Sequence, residues 1–138
     1  MDMPLNGYFP KRGDVLLCDF SRGFVPPEIV KAGRSVVVIS DSMRHSQRLC
    51  TVVPLSTVAP RPMQAWHYKM DINHIPTVLS GKDSWAKCDM LYTVSFDRLD
   101  KPHTKTRAGR TYFVPVLSEI ELAQVIACVK AYLNFPND

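Results

Sequence analysis

Charged and hydroxyl side chains stand at the ends of apolar, strand-like runs in this 138-residue chain. Arg34 begins the run RSVVVIS, and Ser56 and Thr57 directly follow the run LCTVVPL. A guanidinium at the start of a valine-rich strand has two interpretations. It is a solvated charge, or it is a cation held on a rigid edge for catalysis or for phosphate binding. The strand-end residues with this potential are Glu28, Arg34, Ser56, Thr57, Lys87 and Asp89.

Each of these residues also has a purely structural interpretation. Arg34 could pair with Glu28 and pin the intervening loop, and Ser56 with Thr57 could form a turn after the strand. Asp89 could accept hydrogen bonds from backbone N–H groups, and Lys87 could be a solvated charge. On residue types alone, both interpretations of this set stay open.

The elements that would position these residues are short strands followed by one helix. The hydropathy pattern predicts strands over residues 14–20, 34–40, 49–55, 66–72, 85–94 and 110–116, and a single helical turn over 96–99. The continuous Val/Ile run after Arg34 predicts burial on both faces, whereas Pro54 predicts a strand end or a bulge. Ser118 and Glu121 form a capping box before a helical apolar pattern.

This order of elements predicts a mainly β (α+β) fold of about five to seven strands. The sheet would form a small barrel or a coiled sheet, with the C-terminal helix packed on its outside. The length fits one domain spanning residues 1–138, in which residues 1–10 form a short N-terminal extension.

The charge of the chain favours an anionic partner. The formal net charge is +4 and the estimated pI is near 9.0, and nucleic acid is the commonest partner of such basic proteins. Two basic clusters lie between apolar runs and are predicted to be loops, at 41–48 and 101–109. Each could be a solvated loop, but two such loops beside one cleft would bind a phosphate backbone. The clusters consist of Arg44, His45 and Arg48, and of Lys101, His103, Lys105, Arg107 and Arg110.

Cofactors and membranes are not indicated by the sequence. The four cysteines and four histidines lack the spacing of a metal site, so the cysteines are expected to be buried free thiols. We therefore expect neither a metal nor another cofactor. The first ten residues lack an apolar leader, and no apolar run is long enough to span a bilayer, which predicts a soluble, cytoplasmic protein.

Several of the runs together resemble one known family. KRGDVLLCDF, AGRSVVVIS, VVPLST and KCD follow one another in the order and spacing of the MazF/PemK family of toxin endoribonucleases. The resemblance extends from Lys11 to the C-terminal helix. It implies an SH3-like β-barrel with a packed helix, a homodimer, and metal-independent cleavage of single-stranded RNA such as mRNA. It also implies a cognate antitoxin that covers the RNA groove, and operator DNA as a partner through the antitoxin complex.

The resemblance assigns roles position by position. Arg34 stands at the family's catalytic arginine, Ser56 at its threonine or serine with Thr57 beside it, and Asp89 at the later acid. Glu28 matches the acid of the first long loop. The RNA-binding residues expected from the match and from the basic clusters are Lys87, Arg44, Arg48, His67, Lys105 and Arg107.

These roles fit the chemistry of RNA cleavage by its own 2′-hydroxyl. Arg34 would neutralise the phosphate in the transition state, and a hydroxyl of Ser56 or Thr57 would bind the same phosphate. The general base stays open between Asp89 and Glu28, with His67 as an outside candidate.

Two departures from the family pattern support other functions. The usual Arg-Pro is Arg34-Ser35 here, and Pro27 stands where some relatives carry a histidine. A non-catalytic module that binds RNA, DNA or protein is therefore the main alternative. A barrel that binds DNA gyrase or another protein target is a third hypothesis. An unrelated small hydrolase is a fourth, although no nucleophile–base pair, Walker loop or HExxH motif is present.

Overall fold

The computed structural model describes residues 5–71 and 82–135. Its elements are β1 (Val15–Cys18), β2 (Arg34–Val38), β3 (Leu49–Ser56), β4 (His67–Lys69), β5 (Trp85–Lys87), β6 (Tyr92–Ser95), β7 (Leu99–Asp100), β8 (His103–Thr106), β9 (Gly109–Tyr112) and α1 (Glu119–Leu133). Single 3-10 turns lie at Ser42–Arg44 and Phe96–Arg98. The helical turn, the C-terminal helix and the expected strands near residues 14–20, 34–40, 49–55 and 66–72 are thus present, although most of their bounds differ from those expected. Ile72, the last residue of the expected 66–72 strand, lies outside the described residues.

Seven strands form one antiparallel sheet in the order β4-β5-β3-β2-β1-β7, and β6 pairs with β3 as well. The prediction of a mainly β fold with a packed C-terminal helix is confirmed. The closed barrel is wrong for the described residues, because their strand order is open, with β4 at one edge and β7 at the other. β7 has only two residues, and the chain leaves it for a separate β8–β9 hairpin instead of closing the sheet.

The central strands are buried on both faces, as the Val/Ile run predicted. Val36 and Val38 belong to one hydrophobic core, while Val37 belongs to the second core on the other side of the sheet. The first core is completed by Phe20, Phe96 and residues of the N-terminal segment, including Leu5. The second is covered by α1, and each core removes apolar surface from water and so stabilises the fold.

The predicted strand over residues 85–94 is wrong as a single element. β5 and β6 both pair with β3, but a turn separates them, closed by a hydrogen bond of 3.0 Å from the Met90 N–H to the Lys87 carbonyl. Pro54 lies opposite this interruption, between Val52, which pairs with β6, and Leu55, which pairs with β5. Pro54 pairs with Val36 in regular register within β3 and does not end the strand as expected. Because proline has no N–H to donate, it fits this position between the segments paired with β6 and with β5.

The basic segment at 101–109 is a hairpin rather than the expected loop. β8 and β9 pair from His103–Tyr112 to Thr106–Gly109, so the expected 110–116 strand is only in part regular. The alternating Thr, Lys and Arg residues favour an exposed two-stranded ribbon, which the charge count alone did not reveal.

The helix α1 begins as predicted, but its capping box is only half formed. The Ser118 Oγ accepts the Glu121 N–H at 3.1 Å, whereas the Glu121 carboxylate turns inward and accepts the Tyr68 hydroxyl at 2.9 Å. It also lies 3.3 Å from the Asp71 amide nitrogen, which donates to it. Glu121 is 3% exposed, so its charge is buried and hydrogen-bonded. No helix among the described residues is both long and apolar enough to cross a membrane.

We expect Leu16→Ala to lower the free energy of unfolding by about 2–5 kcal/mol, because Leu16 is fully buried in the first core. The matched control is Ile120→Ala on the exposed face of α1, where the side chain is 76% exposed and the change should stay within about 0.5 kcal/mol. Chemical denaturation of both variants checks this. Equal losses in the two variants would contradict the core assignment.

Candidate functional site: a cationic cavity at the end of the central strands

The site lies where β2 begins and β3 ends. The antiparallel register pairs Val36 with Pro54, and continuing it by two residues places Arg34 opposite Ser56. On the other side, Arg34 pairs with Cys18 of β1, which in turn pairs with Leu99 of β7. The sheet register therefore fixes the guanidinium and the hydroxyl in one row across the strands.

The chain enters β2 through a tight turn. Gly33 has φ of +70°, a left-handed conformation that glycine adopts without steric cost. It follows the exposed loop from Ser21 to Ala32 and sets the direction in which Arg34 joins the sheet. The backbone that presents the guanidinium is thus defined on both sides, by the turn and by the strand.

The Arg34 side chain is half-buried and largely without partners. Its Nη1 donates to the Leu55 carbonyl at 3.3 Å, while its Nε is buried without a hydrogen-bond partner. Burial lowers the pKa of the guanidinium from its usual value, yet arginine stays charged in proteins. Among the described residues no carboxylate lies within 4.0 Å of it, so the expected alternative of an Arg34–Glu28 ion pair is not formed.

Two cavities meet at Arg34. The first, which we call the cationic cavity, has a volume of about 280 Å³ and is lined by Lys31, Arg34, Ser56, Thr57 and Lys82 together with Leu17, Gly33, Ser35, Leu55 and Val58. The second, the mixed cavity, has about 420 Å³ and is lined by Glu28, Lys31, Arg34, Ser56, Lys87 and Met90 together with Pro27, Ile29, Val30 and Val58. Five of the six strand-end residues, all but Asp89, therefore surround one place.

The hydroxyls beside Arg34 differ in their availability. The Ser56 Oγ accepts the Val58 N–H at 3.1 Å and lies 3.3 Å from the Val58 carbonyl, to which it donates, so it forms the turn that the structural interpretation anticipated. Thr57 is exposed at the cationic cavity and its hydroxyl has no hydrogen bond among the described residues. The geometry favours Thr57 over Ser56 as a free donor.

The acids are placed in two environments. The Glu28 carboxylate accepts the Val25 N–H at 2.7 Å and lines the mixed cavity. Asp89 instead lies beside His67, with 3.6 Å between its Oδ1 and the His67 Nε2, too long for a hydrogen bond, and this buried Oδ1 has no hydrogen-bond partner among the described residues. His67 in turn accepts the Gln64 N–H through Nδ1 at 3.0 Å, so the pair joins the loop before β4 to the turn after β5.

The basic residues expected to bind RNA do not form one surface. Lys87 lines the mixed cavity, whereas Arg48 pairs with Asp97 at 3.2 Å and lies over the Phe96 ring. Arg48 is eight residues from Ser56 along an extended chain, roughly 26 Å away, so it and the nearby Arg44 lie at the far end of β3. His45 of that cluster is buried, with its Nε2 2.6 Å from the Ser40 Oγ. Lys105 and Arg107 lie exposed on the β8–β9 hairpin beyond β7.

Sequence reasoning missed Lys31 and Lys82. Lys31 lines both cavities, and Lys82 lines the cationic cavity. The sequence carried only one weak signal, the position of Lys31 three residues before Arg34 in a loop rich in turn residues.

Among the described residues, no group of three or more His, Cys, Asp or Glu side chains could hold a metal ion.

The fold and the site together define the chain as a small sheet-plus-helix protein with a cationic cavity at one end of the central strands. Comparison with known proteins gives its family. A model of the PemK-like, MazF-like toxins of type II toxin–antitoxin systems matches residues 11–133. The chain therefore belongs to that family.

Three individual relatives share between 14% and 29% sequence identity with the chain. YifN, an uncharacterized protein of Escherichia coli (strain K12), is 29% identical over 116 residues, which cover 70% of this chain and 76% of YifN. A mycobacterial endoribonuclease solved with its cognate antitoxin is similar in structure, with a TM-score of 0.64 at 16% identity over 94% of this chain and 99% of that one. MazF from Deinococcus radiodurans also gives a TM-score of 0.64, at 14% identity over 93% and 99% of the two chains.

The Tyr68–Glu121 contact holds β4, which carries His67, against α1, and its titration can be measured. Burial, followed by the hydrogen bond to Glu121, raises the pKa of Tyr68 to about 12. Because the folded pKa lies above the ordinary value near 10, this contribution to stability is complete below about pH 10 and is lost as the pH rises toward 12.

We expect Glu121→Gln to lower the pKa of Tyr68, since the neutral amide removes the negative charge that opposes phenolate formation. Phenolate absorbance, taken as a difference from the Tyr68→Phe variant, reports this one tyrosine. An unchanged Tyr68 titration in Glu121→Gln would show that the two side chains are not coupled.

Proposed function

We propose that the chain is a sequence-selective, metal-independent endoribonuclease toxin that cleaves single-stranded RNA, including mRNA, and so inhibits translation and growth. The single observation that carries this proposal is the half-buried Arg34 guanidinium, with a free Nε, in a cavity that has no carboxylate among its described lining residues. Family membership and the endoribonuclease names of two structural relatives support it.

In the reaction, the substrate supplies the nucleophile. The ribose 2′-oxygen loses its proton to a base and bonds to phosphorus, the bond from phosphorus to the 5′-oxygen breaks, and that oxygen takes a proton from water. The products are a 2′,3′-cyclic phosphate and a 5′-hydroxyl. Arg34 stabilises the charge that builds up on the phosphate oxygens, because its fork of N–H donors is already held in place by the sheet.

The remaining roles follow from the placement of the side chains. Thr57, or Ser56 after release from Val58, donates a hydroxyl hydrogen bond to the same phosphate. Glu28 is favoured as the general base because it lines the mixed cavity beside Arg34, whereas Asp89 lies beside His67 and lines neither cavity. Lys87 binds RNA in the mixed cavity, and the hairpin residues Lys105 and Arg107 bind its backbone farther along.

We also propose the partners of this protein and its place in the cell. As a single domain of residues 1–138 in the cytoplasm, the toxin forms a homodimer and is blocked by a cognate antitoxin, through which it reaches operator DNA. A structural relative named as an endoribonuclease in complex with its cognate antitoxin, and another named as MazE-MazF, support the antitoxin partner. Arg44 and Arg48 lie far from the cavity, so any contact they make with RNA is to a distant part of the strand.

A non-catalytic RNA-binding module is the second candidate. It is favoured by the Ser56 hydroxyl, which is occupied by Val58, and by Asp89, which faces His67 rather than Arg34. This candidate predicts binding of RNA that depends on salt, without turnover and without growth arrest on expression.

We expect the wild-type protein to cut single-stranded RNA in the presence of EDTA and to leave a cyclic phosphate end. Arg34→Ala should reduce the rate roughly 10²- to 10³-fold, and Arg34→Lys should recover only part of it, because an ammonium cannot bind two phosphate oxygens in the same plane. Mapping of RNA 5′ ends measures both effects.

Lys130→Ala, an exposed lysine of α1, is the control and should cleave at the wild-type rate. RNA that stays intact with the wild-type protein, but is bound, would replace the proposed cleavage with the binding module.

A further inference from the structure

The cationic cavity carries more positive charge than one phosphodiester can neutralise. Lys31, Arg34 and Lys82 line it, and no carboxylate is among its described lining residues. Among the residues that the structure describes, neither lysine ammonium has a carboxylate within 4.0 Å. Three like charges around one cavity repel one another, and a bound polyanion relieves that repulsion.

The two cavities differ in what they would accept. The mixed cavity combines three cations, Lys31, Arg34 and Lys87, with an acid, Glu28, and with apolar walls that include Ile29 and Met90. The acid and the apolar walls suit a ribose or a base better than a second phosphate. The cationic cavity has hydroxyls and ammonium groups, which suit phosphate oxygens. Arg34 and Lys31 both line the two cavities, so the phosphate that Arg34 binds lies at their junction and Lys31 reaches from there into the cationic cavity.

We infer that the cationic cavity binds a second phosphate, the one adjoining the scissile phosphate, through Lys31 and Lys82. This inference rests on the proposed function, in which Arg34 binds the scissile phosphate. It makes the two lysines substrate-positioning residues, because they fix the strand on one side of the bond that breaks without touching the reacting atoms.

In this arrangement, two neighbouring phosphates of the substrate bind to two different sets of side chains. Lysine binds phosphate as a point charge, without the planar fork of arginine, so the lysines position the strand and the arginine orients the reacting group. The exposure of both lysines keeps their effect moderate, and salt should screen it.

The test uses a short single-stranded oligonucleotide whose sugars are 2′-deoxy, so that it binds without being cut. One linkage at a time is replaced by an uncharged methylphosphonate, and binding is followed by fluorescence anisotropy. We expect two consecutive linkages at which the neutral replacement weakens binding roughly tenfold, as the removal of one charge-assisted hydrogen bond should.

The variants assign each sensitive linkage to its side chains. In the Lys31→Ala, Lys82→Ala double variant, neutral replacement at one of the two linkages should no longer weaken binding. In Arg34→Ala, replacement at the other linkage should no longer weaken it. The double variant should also flatten the dependence of log affinity on log salt, by about 0.7 for each phosphate that the protein no longer neutralises. Lys130→Ala should keep the wild-type pattern.

The inference of a second phosphate site would be overturned if the wild-type protein had only one sensitive linkage. It would also be overturned if both linkages stayed sensitive in the double variant. Cleavage of ribose RNA is measured separately with the same proteins. Cleavage without the paired pattern removes this inference and leaves the proposed function, whereas the paired pattern without cleavage keeps the two-phosphate site and removes the nuclease.

Discussion

The antiparallel register of β2 and β3 is the constraint on which the candidate site depends. It sets Arg34 opposite Ser56, and it is fixed because Val36, Val37 and the residues facing them are buried on both faces of the sheet. A shift of one residue would move every β2 side chain into the opposite core and turn the guanidinium away from the cavity. The core therefore holds the site as firmly as it holds the fold.

The chemistry of the site comes from charge left without a counter-charge. Some cations elsewhere are neutralised or stacked: Arg48 pairs with Asp97, and Lys69 lies near Asp83 and over Trp85. At the cationic cavity the positive groups have no such partners among the described residues. A protein that gives up these local ion pairs loses little stability, because exposed pairs contribute little, and it keeps its cations available for an anionic ligand.

The strands and the helix could be predicted because their signals are local. The valine run, the capping residues and the order of apolar segments are all visible in the sequence, as is the position of Arg34. Lys31 and Lys82 could not be identified, since they approach the cavity only through the path of the chain between strands. Asp89 looked equivalent to Glu28, but the turn after β5 directs it toward His67. Side-chain direction at a turn depends on tertiary packing, which a residue pattern does not encode.

One further consequence follows from β3, which hydrogen-bonds to β2, β5 and β6 and contributes to both hydrophobic cores. Neither core can melt while the other stays intact, because they share this strand. Partial opening near the cationic cavity is therefore costly, and a protease gains access to these strands only when the entire sheet comes apart. Proteolysis within these central strands is then governed by the global stability of the sheet, rather than by fraying at any one edge.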